Sequence, residues 1–355
     1  MKKIFLISFL LLLVFGGCKK HNKSIQPSVT LSAAGANFPS PLYKVIFKNY
    51  SNLTGNEIIS SAHSSGAGIR ALKDKVIDFT GVEVVLSKEK LSEFDAEVLT
   101  IPSCLGAVVM TYNLPGISNL NLTGAILADI YLKNINYWDD IAIQSINPGV
   151  NLPHKLIITV HRSNGSGTSF VFSDYLCQVS PKWEKEMGKE KSLNWKSGIA
   201  VASCSKVAGV VANTEGAIGY TSWEHAALLN LPTASIRNAQ GDFISVSRES
   251  ILAAADRDYP DDMYMMITNS PNENAYPISC FSWLLVYKNQ AYANRDKQKF
   301  ETLSSFLRYI IDPETQKAAA KLHYAPLPEN VIVKANELIN SMDWIDSKRS
   351  KSDEK

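Results

Sequence analysis

Leu156-Ile157-Ile158-Thr159-Val160 runs straight into His161-Arg162-Ser163-Asn164-Gly165-Ser166-Gly167-Thr168, and this passage decides the fold class. Residues 156–160 form an apolar run of strand length, and the glycines and small polar residues after them precede a predicted helix. Working outward, the same alternation recurs. Upstream, Leu42, Val45, Ile46, Tyr50 and Leu53 fall at helical spacing after Pro39 and Pro41, with Gly55 as a stop. The pair Ile58-Ile59 reads as a short strand, Ile69, Leu72 and Val76 as a helical stretch, and residues 105–112 as a continuous apolar strand closed by Asn113-Leu114-Pro115-Gly116. Downstream, Phe300, Leu303, Phe306, Leu307 and Ile310 mark an amphipathic helix, and Asp312-Pro313 reads as an N-cap and first-turn proline opening another. Strands alternating with helices predict an α/β fold with mainly parallel sheets.

The chain has 355 residues, long for one core and suited to two domains. Its 45% hydrophobic and 20% charged residues are those of a globular protein rather than a disordered or fibrous one. Met1-Lys2-Lys3, an apolar run to Phe15 and Gly16-Gly17-Cys18 read as an export signal over residues 1–17. The Cys after two glycines resembles a bacterial lipobox, in which Cys18 becomes the acylated first residue, carrying palmitate-type chains that tether the protein to a membrane. A plain secretory signal with an incidental Cys, or an uncleaved anchor, are the alternatives. Residues 18–28 are polar and suit a flexible tether.

Removing residues 1–17 removes Lys2 and Lys3, so 36 basic residues become 34 against 34 acidic ones. A neutral mature chain argues against a nucleic-acid partner, whose affinity comes mostly from a basic face. Cys104, Cys177, Cys204 and Cys280 are even in number and lack metal-type spacing, which leaves disulfides and buried thiols both open. There is no GxSxG elbow, no HExxH and no P-loop lysine motif, so enzyme activity is not expected.

Three places set small polar residues and glycines ahead of a predicted helix: Gly35-Ala36-Asn37-Phe38, Ser64-Ser65-Gly66 and Asn164-Gly165-Ser166-Gly167-Thr168. The first amides of a helix have no internal acceptor and its dipole makes that end electropositive, so each is a plausible anion seat. Arg162, two residues before the third turn, adds a cation.

Residues 34–43 and 162–170, with Ile130-Tyr131-Leu132-Lys133-Asn134-Ile135 followed by Trp138-Asp139-Asp140, Asn147-Pro148-Gly149, Gly216-Ala217-Ile218-Gly219-Tyr220 and Tyr276-Pro277-Ile278, resemble the periplasmic phosphate-binding protein family in order and approximate spacing. The likeness runs from about Leu31 to about Leu338. It implies a two-lobed periplasmic-binding-protein fold, with two α/β domains joined by a two-crossing hinge and closing on a dehydrated oxyanion. Domain I would comprise residues 29–112 and 279–343, domain II residues 113–278, and residues 344–355 a polar tail. The crossings would lie near Tyr112-Asn113 and near 276–279.

The resemblance also implies inorganic phosphate as ligand, an ABC transporter's permease subunits and ATPase as partners, no cofactor, and a monomer outside the cytoplasm. Another tetrahedral oxyanion, such as sulfate, molybdate or arsenate, or an adhesin or sensor role, is the alternative. Carried over by position, the phosphate contacts would be Asn37, Phe38, Ser64, Glu83, Arg162, Ser166, Gly167 and Thr168. Asn37 stands where the family commonly has Thr, and Glu83 where it has an Asp that accepts the phosphate proton. Asn164, beside the site, stands where an Asp commonly pairs with the Arg. Each has a structural alternative: for Arg162 a surface ion pair, for Glu83 a solvated strand-end carboxylate, for Ser166 a helix cap. His161 reads as structural rather than as a catalytic base.

Overall fold

A computed structural model describes residues 28–345 apart from Asn294. The expected signal, Cys18, nearly all of the tether and the end of the tail lie outside the described residues. In chain order the elements are β1 (Thr30–Gly35), α1 (Ser40–Thr54), β2 (Glu57–Ala62), α2 (Ser65–Lys73), β3 (Phe79–Val82), α3 (Lys88–Leu91), β4 (Val98–Tyr112), β5 (Asn121–Leu122), α4 (Gly124–Tyr131), α5 (Ile141–Ser145), β6 (Ile158–Arg162) and α6 (Gly167–Val179). There follow α7 (Pro181–Glu186), β7 (Ile199–Val201), α8 (Cys204–Asn213), β8 (Ala217–Ser222), α9 (Trp223–Leu228), β9 (Ser235–Arg237), β10 (Phe243–Ile244), α10 (Arg248–Ala255), β11 (Ser279–Tyr287), α11 (Lys297–Ile311), α12 (Pro313–Ala320) and α13 (Glu329–Asn340). Among the described residues no helix is long and apolar enough to cross a membrane.

Eight strands form one sheet in the order β2-β1-β3-β11-β4-β8-β6-β7. The α/β class is as the sequence predicts, but the sheet is mixed rather than mainly parallel. Its flanks are parallel (β2-β1-β3 and β8-β6-β7), while β11 and β4 join them antiparallel. The reason lies in β4. Its residues from Val98 to Ala107 pair with β11, and those from Val108 to Tyr112 pair with β8. One strand therefore serves two strand groups, and it changes partner between Ala107 and Val108, where the Val108 N–H donates to Ile278 O.

The helix signals have visible causes. Gly55 ends α1 in the left-handed conformation at φ 78°, its N–H donating to Ser51 O, a conformation that glycine adopts without penalty. Asp312 both ends α11 and caps α12, accepting from the Glu314 and Thr315 N–H groups at 2.9 and 3.3 Å. The predicted apolar face of α1 is off by part of a turn. Val45 and Leu53 are exposed, and the helix buries Leu42, Tyr43, Ile46, Phe47 and Tyr50 instead. Phe47 and Phe79 meet Phe306 of α11 with centroids 5.4 and 5.2 Å apart, so a partner some 250 residues away decides the face. Val76 lies beyond α2 and is exposed, and Leu156 precedes β6 and is exposed. The 105–112 run is the second half of a longer strand.

Candidate anion-binding site

Strand β6 delivers Arg162 at its last position, and the turn 163–166 leads into α6. Ser166 is the helix cap that the conservative reading expected, its Oγ accepting from Ser169 N at 3.3 Å. Gly167 and Thr168 then occupy the first two helical positions, where backbone amides point outward at the positive end of the dipole. In the other strand group, Ser64 caps α2 by accepting from Ala67 N at 3.2 Å, and Ser65 opens the helix. The two helix starts touch: the Gly66 N–H donates to Gly165 O at 3.0 Å.

Arg162 is only 3% exposed, which rules out the surface-pair reading. Its Nη2 donates to Asn164 Oδ1 and to Ala202 O, each at 2.9 Å, and its Nη1 to Cys204 Sγ at 3.4 Å. None of these acceptors is charged. Asn164 thus holds Arg162 geometrically without offering it an ion pair. Nε of Arg162 is buried and has no hydrogen-bond partner among the described residues.

Glu83 follows β3 directly and is fully buried, not a solvated strand-end group. Its Oε1 accepts from Ser282 Oγ at 2.9 Å and its Oε2 from Ser65 Oγ at 3.3 Å. Burial pushes its carboxyl up to about 7, against the opposing pull of the two serines and of Arg162. A buried carboxyl of this kind stands ready to exchange a proton near neutral pH.

The remaining expected residues surround these. Asn37 is buried, and its Nδ2 donates to His63 O at 3.0 Å, tying the loop before α1 to the turn before α2. The ring of Phe38 is fully buried and edge-on to Tyr324, while its carbonyl accepts from Tyr324 OH at 2.6 Å. What Phe38 can offer a ligand is its backbone N–H. Thr168 is buried with Oγ1 3.2 Å from Cys204 Sγ. Glu83, Arg162, Ser166, Gly167 and Thr168 thus share one buried junction, with Asn37, Phe38 and Ser64 on the two loops beside it.

The sequence reading did not single out Ser282, Cys204 or Tyr220, whose hydroxyl accepts from the Arg162 N–H at 3.0 Å and lies 2.7 Å from Ser169 Oγ. In the turn before α2, Ser65 rather than Ser64 is the hydroxyl that reaches Glu83. The four cysteines beyond Cys18 are free thiols, which closes the disulfide option. His161 stacks on Trp195 with ring centroids 4.7 Å apart, and burial lowers its pKa, as a structural histidine would have it. No cluster of three metal-ligating side chains occurs among the described residues.

The PBP superfamily domain matches residues 22–314. The phosphate-binding protein PstS of Xylella fastidiosa is 37% identical over 310 residues, covering 86% of this chain and 83% of its own. The chain belongs to the phosphate-binding protein PstS family. A second member, PstS of Pasteurella multocida, is 35% identical over 86% of this chain and 88% of its own. In fold, the chain is similar to a high-affinity periplasmic phosphate-binding protein, PfluDING, solved with phosphate bound. That likeness has a TM-score of 0.71 at 18% identity and covers 87% of this chain and 93% of the other.

Proposed function

We propose that this protein captures inorganic phosphate between two lobes and delivers it to an ABC importer made of permease subunits and an ATPase. The observation that carries the reading is one buried junction that holds Arg162, bonded only to neutral groups, and Glu83, a carboxyl from the other strand group against which α6 begins. A cation whose own hydrogen-bond acceptors are all neutral suits an anion, and a carboxylate near it suits one that still carries a proton. The PstS names of the relatives support the same ligand. A solved protein of the same fold from Vibrio cholerae, described as an ABC-type phosphate transport receptor, supports the importer.

On this reading the contacts are Asn37, Phe38, Ser64, Glu83, Arg162, Ser166, Gly167 and Thr168, with Asn164 orienting the arginine. The lobes are residues 29–112 with 279–343, and residues 113–278, and they move about the partner change in β4. The protein binds rather than transforms its ligand, acts as a monomer outside the cytoplasm, and is held at the membrane by acyl chains on Cys18.

Calorimetric titration of the purified, unlipidated protein tests the ligand. Phosphate should bind, and Arg162→Ala should lose roughly 2–5 kcal/mol, the range found when one partner of a buried charge-assisted contact is truncated. Tight sulfate or molybdate binding without phosphate binding would assign the cleft to another oxyanion.

A further inference from the structure

We infer that Cys204 is a positioning residue of the anion site, setting the Arg162 guanidinium and the Thr168 hydroxyl without drawing charge from either. This rests on the phosphate-binding reading above. Cys204 opens α8 and is fully buried. Its Sγ lies 3.4 Å from Arg162 Nη1 and 3.2 Å from Thr168 Oγ1. Its carbonyl accepts from Thr221 Oγ1 at 3.0 Å, so the end of β6, the start of α6 and the edge of β8 converge on one residue.

The chemistry of that position is selective. Nη2 of Arg162 is fixed by Asn164 and by Ala202 O, and Nε is buried without a partner among the described residues. Nη1 alone leans on a side chain from a third segment. A carboxylate there would form an ion pair and cancel the charge the ligand needs. A methyl group would leave a buried N–H without an acceptor. A thiol is neutral, a weak acceptor and a weak donor, and so can receive from the guanidinium while bonding the threonine hydroxyl. Held in this way, both groups keep their orientation and the guanidinium keeps its charge.

The test is phosphate titration of purified full-length wild type, Cys204→Ala and Cys204→Ser, each also in an Arg162→Lys background, alongside the melting temperatures of the unliganded proteins. Cys204→Ala should bind phosphate about tenfold more weakly, by analogy with the low end of the loss when a partner that orients a metal-ligating side chain is removed. Cys204→Ser, which keeps a donor and an acceptor, should stay within about threefold of wild type. In the Arg162→Lys background Cys204→Ala should cost less, because one of the two groups it orients has gone and only Thr168 is left to hold. Binding by Cys204→Ala within twofold of wild type, equal losses in both backgrounds, or a serine loss as large as the alanine loss would each overturn the inference while leaving the phosphate site standing. Wild type failing to bind phosphate would overturn both.

Discussion

A β-carbon built on Gly167 would stand 2.2 Å from Glu83 Oε2, so helix α6 and the Glu83 carboxylate approach as closely as a glycine allows. The two residues come from different strand groups, and the same β-carbon would stand 2.5 Å from Ser65 Oγ. Gly167 is the first residue of α6, and Gly167→Ala would force the buried Glu83 carboxyl and Ser65 hydroxyl to shift. The variant should melt below the wild-type temperature and bind phosphate at least tenfold more weakly. A variant that binds as tightly as wild type would show that this contact is not part of the liganded state.

Glu83 makes stability depend on pH in a definite direction. Its folded pKa of about 7 lies above the ordinary carboxyl value of 4.5, so the folded protein holds the proton more tightly than the unfolded chain. Stability from this group is whole below that ordinary value and is lost as pH rises through about 7, by on the order of 3 kcal/mol. The groups around it are Ser65, Ser282, Arg162 and Glu224. Glu83→Gln removes the titration, so its melting temperature should gain on wild type at pH 8 relative to pH 5. Parallel melting curves at the two values would contradict the assignment.

The same variant tests selectivity. An ionised Glu83 accepts the proton of phosphate but repels sulfate, which has none to give. Phosphate titrated against excess sulfate at pH 8 should show strong discrimination by wild type and a weaker one by Glu83→Gln, whose amide can turn a donor toward either anion. Equal discrimination by both proteins would remove Glu83 from this role.

Asp78 offers a stability test at the other end of β3 from Glu83. It receives Arg295 and Lys299 together, the latter at 3.1 Å, and accepts from Ser32 N at 2.6 Å and Ser32 Oγ at 3.1 Å. Asp78→Ala leaves two cations facing each other with no acid between them, at a cost of about 3–5 kcal/mol. Five residues of strand put Asp78 roughly 16 Å from Glu83. Urea unfolding should show the loss, while phosphate affinity of the folded protein should stay near wild type.

Cys18→Ser should release the protein from membrane fractions or leave its leader uncleaved. Mass spectrometry of the wild-type N-terminus checks the premise, and an unmodified Cys18 in soluble protein would end it.

Much of the fold was legible because its signals are local. Gly55, Asp312-Pro313 and the periodicity of α11 act through their own neighbours in sequence. The three glycine and small-residue turns were legible for the same reason, since a helix start exposes its own amides whatever packs around it. What stayed hidden depends on distant partners. Val45 and Phe47 are both apolar residues of α1, and packing of Phe47 on the distant Phe79 and Phe306 decides which faces inward. Ser282 is 199 residues from the Glu83 it serves, and Cys204 is 42 from Arg162, and neither sits in a pattern of its own. The antiparallel centre of the sheet was hidden likewise, because direction depends on where β11 enters and not on its composition.

That entry point also sets the order in which the molecule can be built. β11, at Ser279–Tyr287, is hydrogen-bonded between β3 and β4, which precede it by well over a hundred residues. Until residue 287 has left the ribosome, β3 and β4 have no strand to join them, and the first sheet group remains two fragments. Pairings of such long sequence separation form slowly. On the export route proposed above, that delay is useful: a nascent chain whose amino-terminal half cannot complete itself stays loose enough to be threaded across a membrane. Moving β11 ahead of β4 by circular permutation should therefore speed refolding and, if an export leader is kept, slow translocation.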